Sequence, residues 1–222
     1  MHRDNRLTVL VVCAANQCRS CAGHALLATA LADLPDVRVM SAGTHADGVQ
    51  PVCPRAAEFL GGLAVPVDLE RTSVELTAGL LAEADLVLVA DGQVRADAVA
   101  LDPAARPKVL LLRGAGRAAE FLLANDRVGI ARAAHAAGLD RAVDITDGEE
   151  DVLTSALAPG LQAAAAWLRE ELAIAQAYAA SDAHDDIADA HGSWRNRHPR
   201  TLEDVRVACE PLARLIRALA AS

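Results

Sequence analysis

The chain has 222 residues, a formal net charge of −9, 5 cysteines and only 2% aromatic residues. That length builds one domain with a full core, and the negative balance disfavours nucleic acid and anionic membranes as partners. No apolar run approaches the roughly 20 residues of a membrane span. An odd number of cysteines, clustered early, fits a reducing cytoplasmic setting better than a disulfide scaffold.

Leu7 to Val12 is apolar at nearly every position and rich in Val, which predicts a strand buried on both faces of a parallel sheet. The run is too short for a signal peptide and ends in a loop carrying Cys13 and Arg19. From Ser20 the positions Ala22, Ala25, Leu26, Thr29 and Ala30 fall at helical spacing, predicting a helix over 20–32. Further strands are expected at 37–41, 86–90 and 108–112, and helices at 54–62, 74–83, 93–101 and 115–124. The alternation predicts an α/β fold: a four-stranded parallel sheet flanked by helices, with right-handed crossovers. After residue 125 the strand pattern stops. Alanine-rich helices are expected at 127–137 and 159–180, an acidic link at Asp182–Asp186, and a closing amphipathic helix at 202–219.

The loop from Cys13 to Ser20 carries the chemistry. Parallel strands place ligands beyond their carboxyl ends, where the loop meets the next helix. Successive backbone N–H groups there form an anion nest, reinforced by the helix dipole. Helix N-termini and neighbouring cations also favour thiolate, the nucleophilic form of cysteine. Arg19 offers a planar fork for two oxygens of a phosphate-like group. Cys13 and Arg19 thus flank a cradle whose lining is Ala14, Ala15, Asn16, Gln17, Cys18 and Ser20. Asn16 tolerates the left-handed backbone a tight cradle needs, and Ser20 can hydrogen-bond the thiolate.

These residues, Val12 to Ser20, match the pattern Val-Cys-x-x-Asn-x-Cys-Arg-Ser, and the chain resembles the low-molecular-weight protein tyrosine phosphatases and the arsenate reductases that share their fold. Ser41-Ala42-Gly43 resembles the family's Ser-Ala-Gly turn, whose serine bonds the loop asparagine. Pro54-Arg55-Ala56 fits the start of the following helix, and Ala84 to Asp91 resembles the third strand with its terminal aspartate. Asp186-Ile187-Ala188-Asp189 resembles the element whose second aspartate is the general acid. The resemblance implies a phosphatase in which Cys13 attacks phosphorus, Arg19 holds the oxygens, Asp189 moves the proton, and Ser41 and Asp91 support. It covers about 6–113 and 184–221, so a single domain over 1–222 with a helical insertion at about 125–183 is expected.

The departures bear on the substrate. Cys21 replaces the usual proline, His24 stands where a glutamate is common, and Ala190-His191-Gly192 replaces the proline and tyrosines that wall a phosphotyrosine pocket. Thr44 to Gln50, matching a variable pocket loop, holds no aromatic residue. The substrate is therefore either a phosphorylated protein or a small phosphorylated molecule. Asp91 reads equally as a helix N-cap, and Asp186 competes with Asp189 as the acid. Two alternatives remain at this level: a thiol-dependent arsenate reductase, and a catalytically weak oxyanion-binding module. Cys18-Arg19-Ser20-Cys21 is a Cys-x-x-Cys, but the cradle already accounts for it. His184, His191 and His198 lie near Asp185, Asp186 and Asp189; polar loops often hold such residues, so no metal is expected. No cofactor is expected either, because Arg19 and the nest supply the positive field.

Overall fold

β1 (Leu7–Cys13) is buried at all seven positions, and its alternation explains the fold. Leu7, Val9 and Val11 enter one apolar cluster, while Leu10 and Val12 enter a second on the opposite face. A strand with no polar face must be central. It pairs in parallel with β2 (Val37–Gly43) and β3 (Leu86–Val89), and β3 pairs with β4 (Val109–Leu111), giving the order β2-β1-β3-β4. In a computed structural model this arrangement is described over residues 6–136, 161–179, 185–191 and 197–220. The predicted α/β class with a four-stranded parallel sheet is borne out.

Helices α1 (Arg19–Ala30), α2 (Pro54–Gly62), α5 (Leu112–Asn125) and α8 (His198–Ala220) cover one face. α3 (Ala78–Glu83) and α4 (Gly92–Leu101) contribute Leu81, Val94 and Ala98 to the other. α5 and α8 meet backbone to backbone at Gly116, where an added Cβ would sit 2.6 Å from the Ala208 carbonyl oxygen. α6 (Arg127–Ala136) and α7 (Leu161–Ala179) pack on α5 and on each other, with Leu168 and Leu172 fully buried. No helix among the described residues is long and apolar enough to cross a membrane.

Two helix starts differ from the sequence expectation by a full turn. The helix expected at 74–83 begins only at Ala78. The preceding residues are drawn out by pairing: Thr72 bridges Pro51, Glu75 bridges Gly43, and the Val74 amide donates to Asn16 Oδ1. Thr77 then caps the shortened helix by accepting from the Leu80 amide. The last helix starts at His198 rather than 202; Pro199 in its first turn costs no hydrogen bond there. The helices expected at 127–137 and 159–180 correspond to α6 and α7. Residues 137–160 and 180–184, His184 among them, lie outside the described residues.

Candidate active site

β1 ends on Cys13, the chain loops through residues 14–18, and α1 begins at Arg19. The loop is held from outside by its carbonyls. The Cys13 and Ala14 oxygens accept from the amides of Thr44 and His45, and the Gln17 oxygen accepts from Cys53. The Asn16 oxygen accepts from the Cys21 thiol at 2.9 Å. Cys21, which replaces the proline of the resembling family, therefore braces the loop.

Asn16 is the centre of this bracing. Its φ of 53° is left-handed, a conformation that asparagine tolerates better than most residues. Its Nδ2 donates to Ser20 Oγ at 2.8 Å and Ser41 Oγ at 2.9 Å. Its Oδ1 accepts from the Val74 amide at 2.9 Å and from Arg71 Nη2 at 3.1 Å. With the residue 1% exposed, all of that amide's hydrogen-bonding capacity is spent on fixing the loop. Ser41, on β2, also accepts from Arg71 Nη2 at 2.6 Å. Gly43, two residues on, is required by close approach: a Cβ there would lie 2.4 Å from the Ala14 oxygen and 2.7 Å from the Asn16 nitrogen. The register that sets Cys13 opposite Gly43 thus permits the loop to fold over the β2 terminus.

Cys13 Sγ lies 3.0 Å from Ser20 Oγ. Arg19, 4% exposed, is held at three points. Its Nη1 donates to Asp91 Oδ2 at 2.6 Å and to the Ile187 carbonyl at 2.9 Å, and its Nη2 donates to Asp189 Oδ2 at 3.1 Å. Asp91 serves twice, because its Oδ1 also accepts from the Val94 amide and caps α4. The segment carrying Asp189 is anchored by buried Ile187, whose amide donates to the Ala90 oxygen, and by Thr201 Oγ1 donating to the Ala188 oxygen. Asp185 pairs with Arg117 at 2.6 Å. Asp186 accepts from the Gly92 amide at the start of α4, whereas Asp189 reaches Arg19 and stays about half-exposed, at 48%.

The other thiols sit differently. Burial, and then the neighbouring Cys53, push the Cys18 thiol well above its ordinary range. Burial likewise pushes Cys21 up to about 11 and Cys209 up to about 12. In the metal-free protein, burial thus favours the protonated thiol at both Cys18 and Cys21, unlike the low-pKa thiolate of an activated dithiol pair. All five cysteines are free and buried.

The profile of the low molecular weight phosphotyrosine protein phosphatases matches residues 8–120, just over half of the chain. The chain belongs to that family. A probable low molecular weight protein-tyrosine-phosphatase, EpsP of Ralstonia nicotianae, is 37% identical over 105 residues, 47% of this chain and 70% of EpsP. The phosphatase Etp of Escherichia coli K12 is 34% identical over 104 residues, 47% of this chain and 68% of Etp. Among solved structures, a low molecular weight protein tyrosine phosphatase from T. tengcongensis superposes with a TM-score of 0.55 at 19% identity, covering 93% of this chain and 97% of its own. The YwlE arginine phosphatase from Geobacillus stearothermophilus superposes with a TM-score of 0.57 at 20% identity, covering 95% and 93%. At such identities these two show the shared fold. As a low molecular weight phosphatase, the protein is a cysteine-based phosphoric monoester hydrolase acting on phosphorylated substrates.

The structure brings Cys13, Ser20, Arg19, Asp91 and Asp189 around one loop, with Asn16 and Ser41 beneath it. Ala14, Ala15 and Gln17 are partly exposed along it. Sequence reasoning missed Arg71, which joins Asn16 to Ser41 and stands 3.5 Å from His24 Nδ1. A single arginine in the polar stretch Leu69-Glu70-Arg71-Thr72 carries no pattern that could have marked it. Burial, and then Arg71, hold His24 below its ordinary range, toward the neutral imidazole.

Proposed function

We propose that Cys13 is the nucleophile of a metal-independent hydrolysis of phosphomonoesters, with Arg19 and the loop amides holding the equatorial oxygens and Asp189 as general acid and base. The observation that carries this reading is Arg19. Its guanidinium is buried, aimed by Asp91 and the Ile187 carbonyl, and joined to Asp189 at the mouth of the cysteine loop. The loop carbonyls of Cys13, Ala14, Asn16 and Gln17 are engaged from outside, which leaves the amides to face an oxyanion.

In this mechanism Cys13 Sγ attacks phosphorus in line, forming the S–P bond as the P–O bond to the leaving group breaks. Asp189 gives its proton to the departing oxygen. It then takes a proton from the water that cleaves the S–P bond, which returns Cys13 as thiolate. Ser20, 3.0 Å from the sulfur, steadies that thiolate as it leaves. Asp189 is favoured over Asp186 because its carboxylate reaches Arg19 at 3.1 Å, whereas the Asp186 carboxylate is turned to the Gly92 amide at the start of α4.

The substrate is a phosphotyrosine protein or a small phosphorylated molecule. At the rim, His45 and Val49 are exposed and His191 follows Asp189, so among the described residues the segments corresponding to the family's pocket supply no aromatic wall. The reading includes a single domain in which 125–183 is a helical addition, supported by the docking of α6 and α7 on α5. The deciding experiment measures kcat/KM for an aryl phosphate in Cys13→Ser and Arg19→Ala. Cys13→Ser should lose turnover but keep phosphate or vanadate binding, while Arg19→Ala loses both. Full turnover in Cys13→Ser would overturn the mechanism.

A further inference from the structure

Behind the cysteine loop, Cys18, Cys53, His191 and His198 each offer one ligand atom, and these four atoms lie within 4.8 Å of one another. The geometry points to a site for one divalent cation of the zinc class, held by two thiolates and two imidazoles. Two sulfurs and two ring nitrogens are the donor set of a closed tetrahedral zinc centre, and soft thiolates select against magnesium and calcium. Donor atoms around such an ion stand about 3.3–3.8 Å apart, given metal–sulfur and metal–nitrogen distances near 2.3 and 2.0 Å. Closing the four groups onto an ion therefore asks for movements of about an ångström, well within the swing of the exposed His191 side chain.

The surroundings agree with that donor set. Cys18 and Cys53 are only 4% exposed each, and they stand as the N-cap residues of α1 and α2 respectively, with no side-chain cap bond. The two imidazoles meet edge to face, with centroids 4.8 Å apart. Binding displaces one proton from each thiol, so M²⁺ plus two thiols gives a neutral dithiolate centre and two released protons. No net charge is added beside Arg55 and Arg19.

The ion would join four segments that meet at the active site: the cysteine loop, the start of α2, the Asp189 segment and the first residue of α8. It would pin His191, two residues from Asp189, to the loop that carries Arg19. This departs from the sequence-level expectation of no metal, which considered the histidines only alongside the neighbouring carboxylates.

The test uses the full chain, reduced and stripped of metal, titrated with Co²⁺ and then Zn²⁺. One equivalent of Co²⁺ should give a thiolate-to-cobalt charge-transfer band with tetrahedral visible absorption, which Zn²⁺ then displaces. Cys53→Ala and His198→Gln should each weaken binding by at least the about 10–100-fold that loss of a mere supporting partner costs, with metal-free hydrolysis of an aryl phosphate unchanged. Zn²⁺ should raise the melting temperature of the unaltered chain and not of these variants. Cys13→Ser should keep the band, because Cys13 is outside the donor set. The inference is overturned if the unaltered chain gives no band, if the band survives in both Cys53→Ala and His198→Gln, or if Cys13→Ser abolishes it. A Cys18–Cys53 disulfide in fully reduced-handled protein, found by peptide mass, would overturn it as well.

Discussion

The cysteine loop and the Asp189 segment meet at Arg19 yet are built in opposite ways. The loop is over-determined: Asn16 makes four hydrogen bonds, the Cys13, Ala14, Asn16 and Gln17 oxygens are all engaged, and Gly43 lets the β2 backbone close underneath. The Asp189 segment is docked from a distance in sequence, by Ile187 in the core, Thr201 on α8 and the Arg117–Asp185 pair. The difference teaches how the work divides. In the proposed mechanism, a cradle presenting fixed dipoles to an oxyanion gains from rigidity, while a carboxylate giving and taking a proton needs access to leaving group and water.

Removing the reacting atom is the severest break. Cys13→Ser should bring turnover of any phosphomonoester to background while the folded loop still binds vanadate, as measured by kinetics and by calorimetric titration. An inactive variant that also fails to bind would place the damage in the cradle instead of the chemistry.

The second test is aimed at the docked side. Asp189→Asn should slow hydrolysis of an alkyl or phenyl phosphate by about 10²–10⁴-fold and affect an activated nitrophenyl ester much less, because a good leaving group departs without a proton. The comparison of the two esters, rather than either rate, is the readout. If Asp186→Asn shows the leaving-group-dependent loss and Asp189→Asn does not, the roles are exchanged.

The third is aimed at the rigid side. Gly43→Ala forces a methyl to within 2.4 Å of the Ala14 oxygen and 2.7 Å of the Asn16 nitrogen. Backbone cannot yield there as a flexible side chain would, so overpacking should cost about 1–3 kcal/mol of stability. Competitive inhibition by phosphate should weaken together with the melting temperature. Asn16→Ala leaves the Val74 amide and Ser20 and Ser41 hydroxyls without their partner, for a loss of about 1–3 kcal/mol, read by denaturant titration. The smallest effect belongs to Asp186→Asn, which keeps an oxygen for the Gly92 amide and should leave both ester rates close to those of the unaltered chain.

Much of the loop was legible beforehand because its determinants are local. A doubly buried strand, a cysteine at its end, asparagine at the left-handed position and arginine at a helix start all lie within fourteen residues. β2 and Gly43 were legible through the Ser-Ala-Gly turn, although the reason glycine is needed there is a tertiary contact. Arg71 was not legible, since its partners Asn16 and Ser41 lie 55 and 30 residues away. The helix expected over 74–83 failed in its first turn for a similar reason: the Val74 amide and Glu75 backbone satisfy their hydrogen bonds across the fold, and such bonds outweigh a weak local helical preference.

By itself the sequence determined the alternation that makes a parallel α/β sheet and the composition of the phosphate cradle, since periodicity and short-range spacing are properties of the chain alone. Only the tertiary structure decided which aspartate meets Arg19, that Asp91 both caps α4 and aims the arginine, and that Cys18, Cys53, His191 and His198 converge. Each of those depends on side chains brought together from distant segments by packing, and no spacing along the chain records that distance in space.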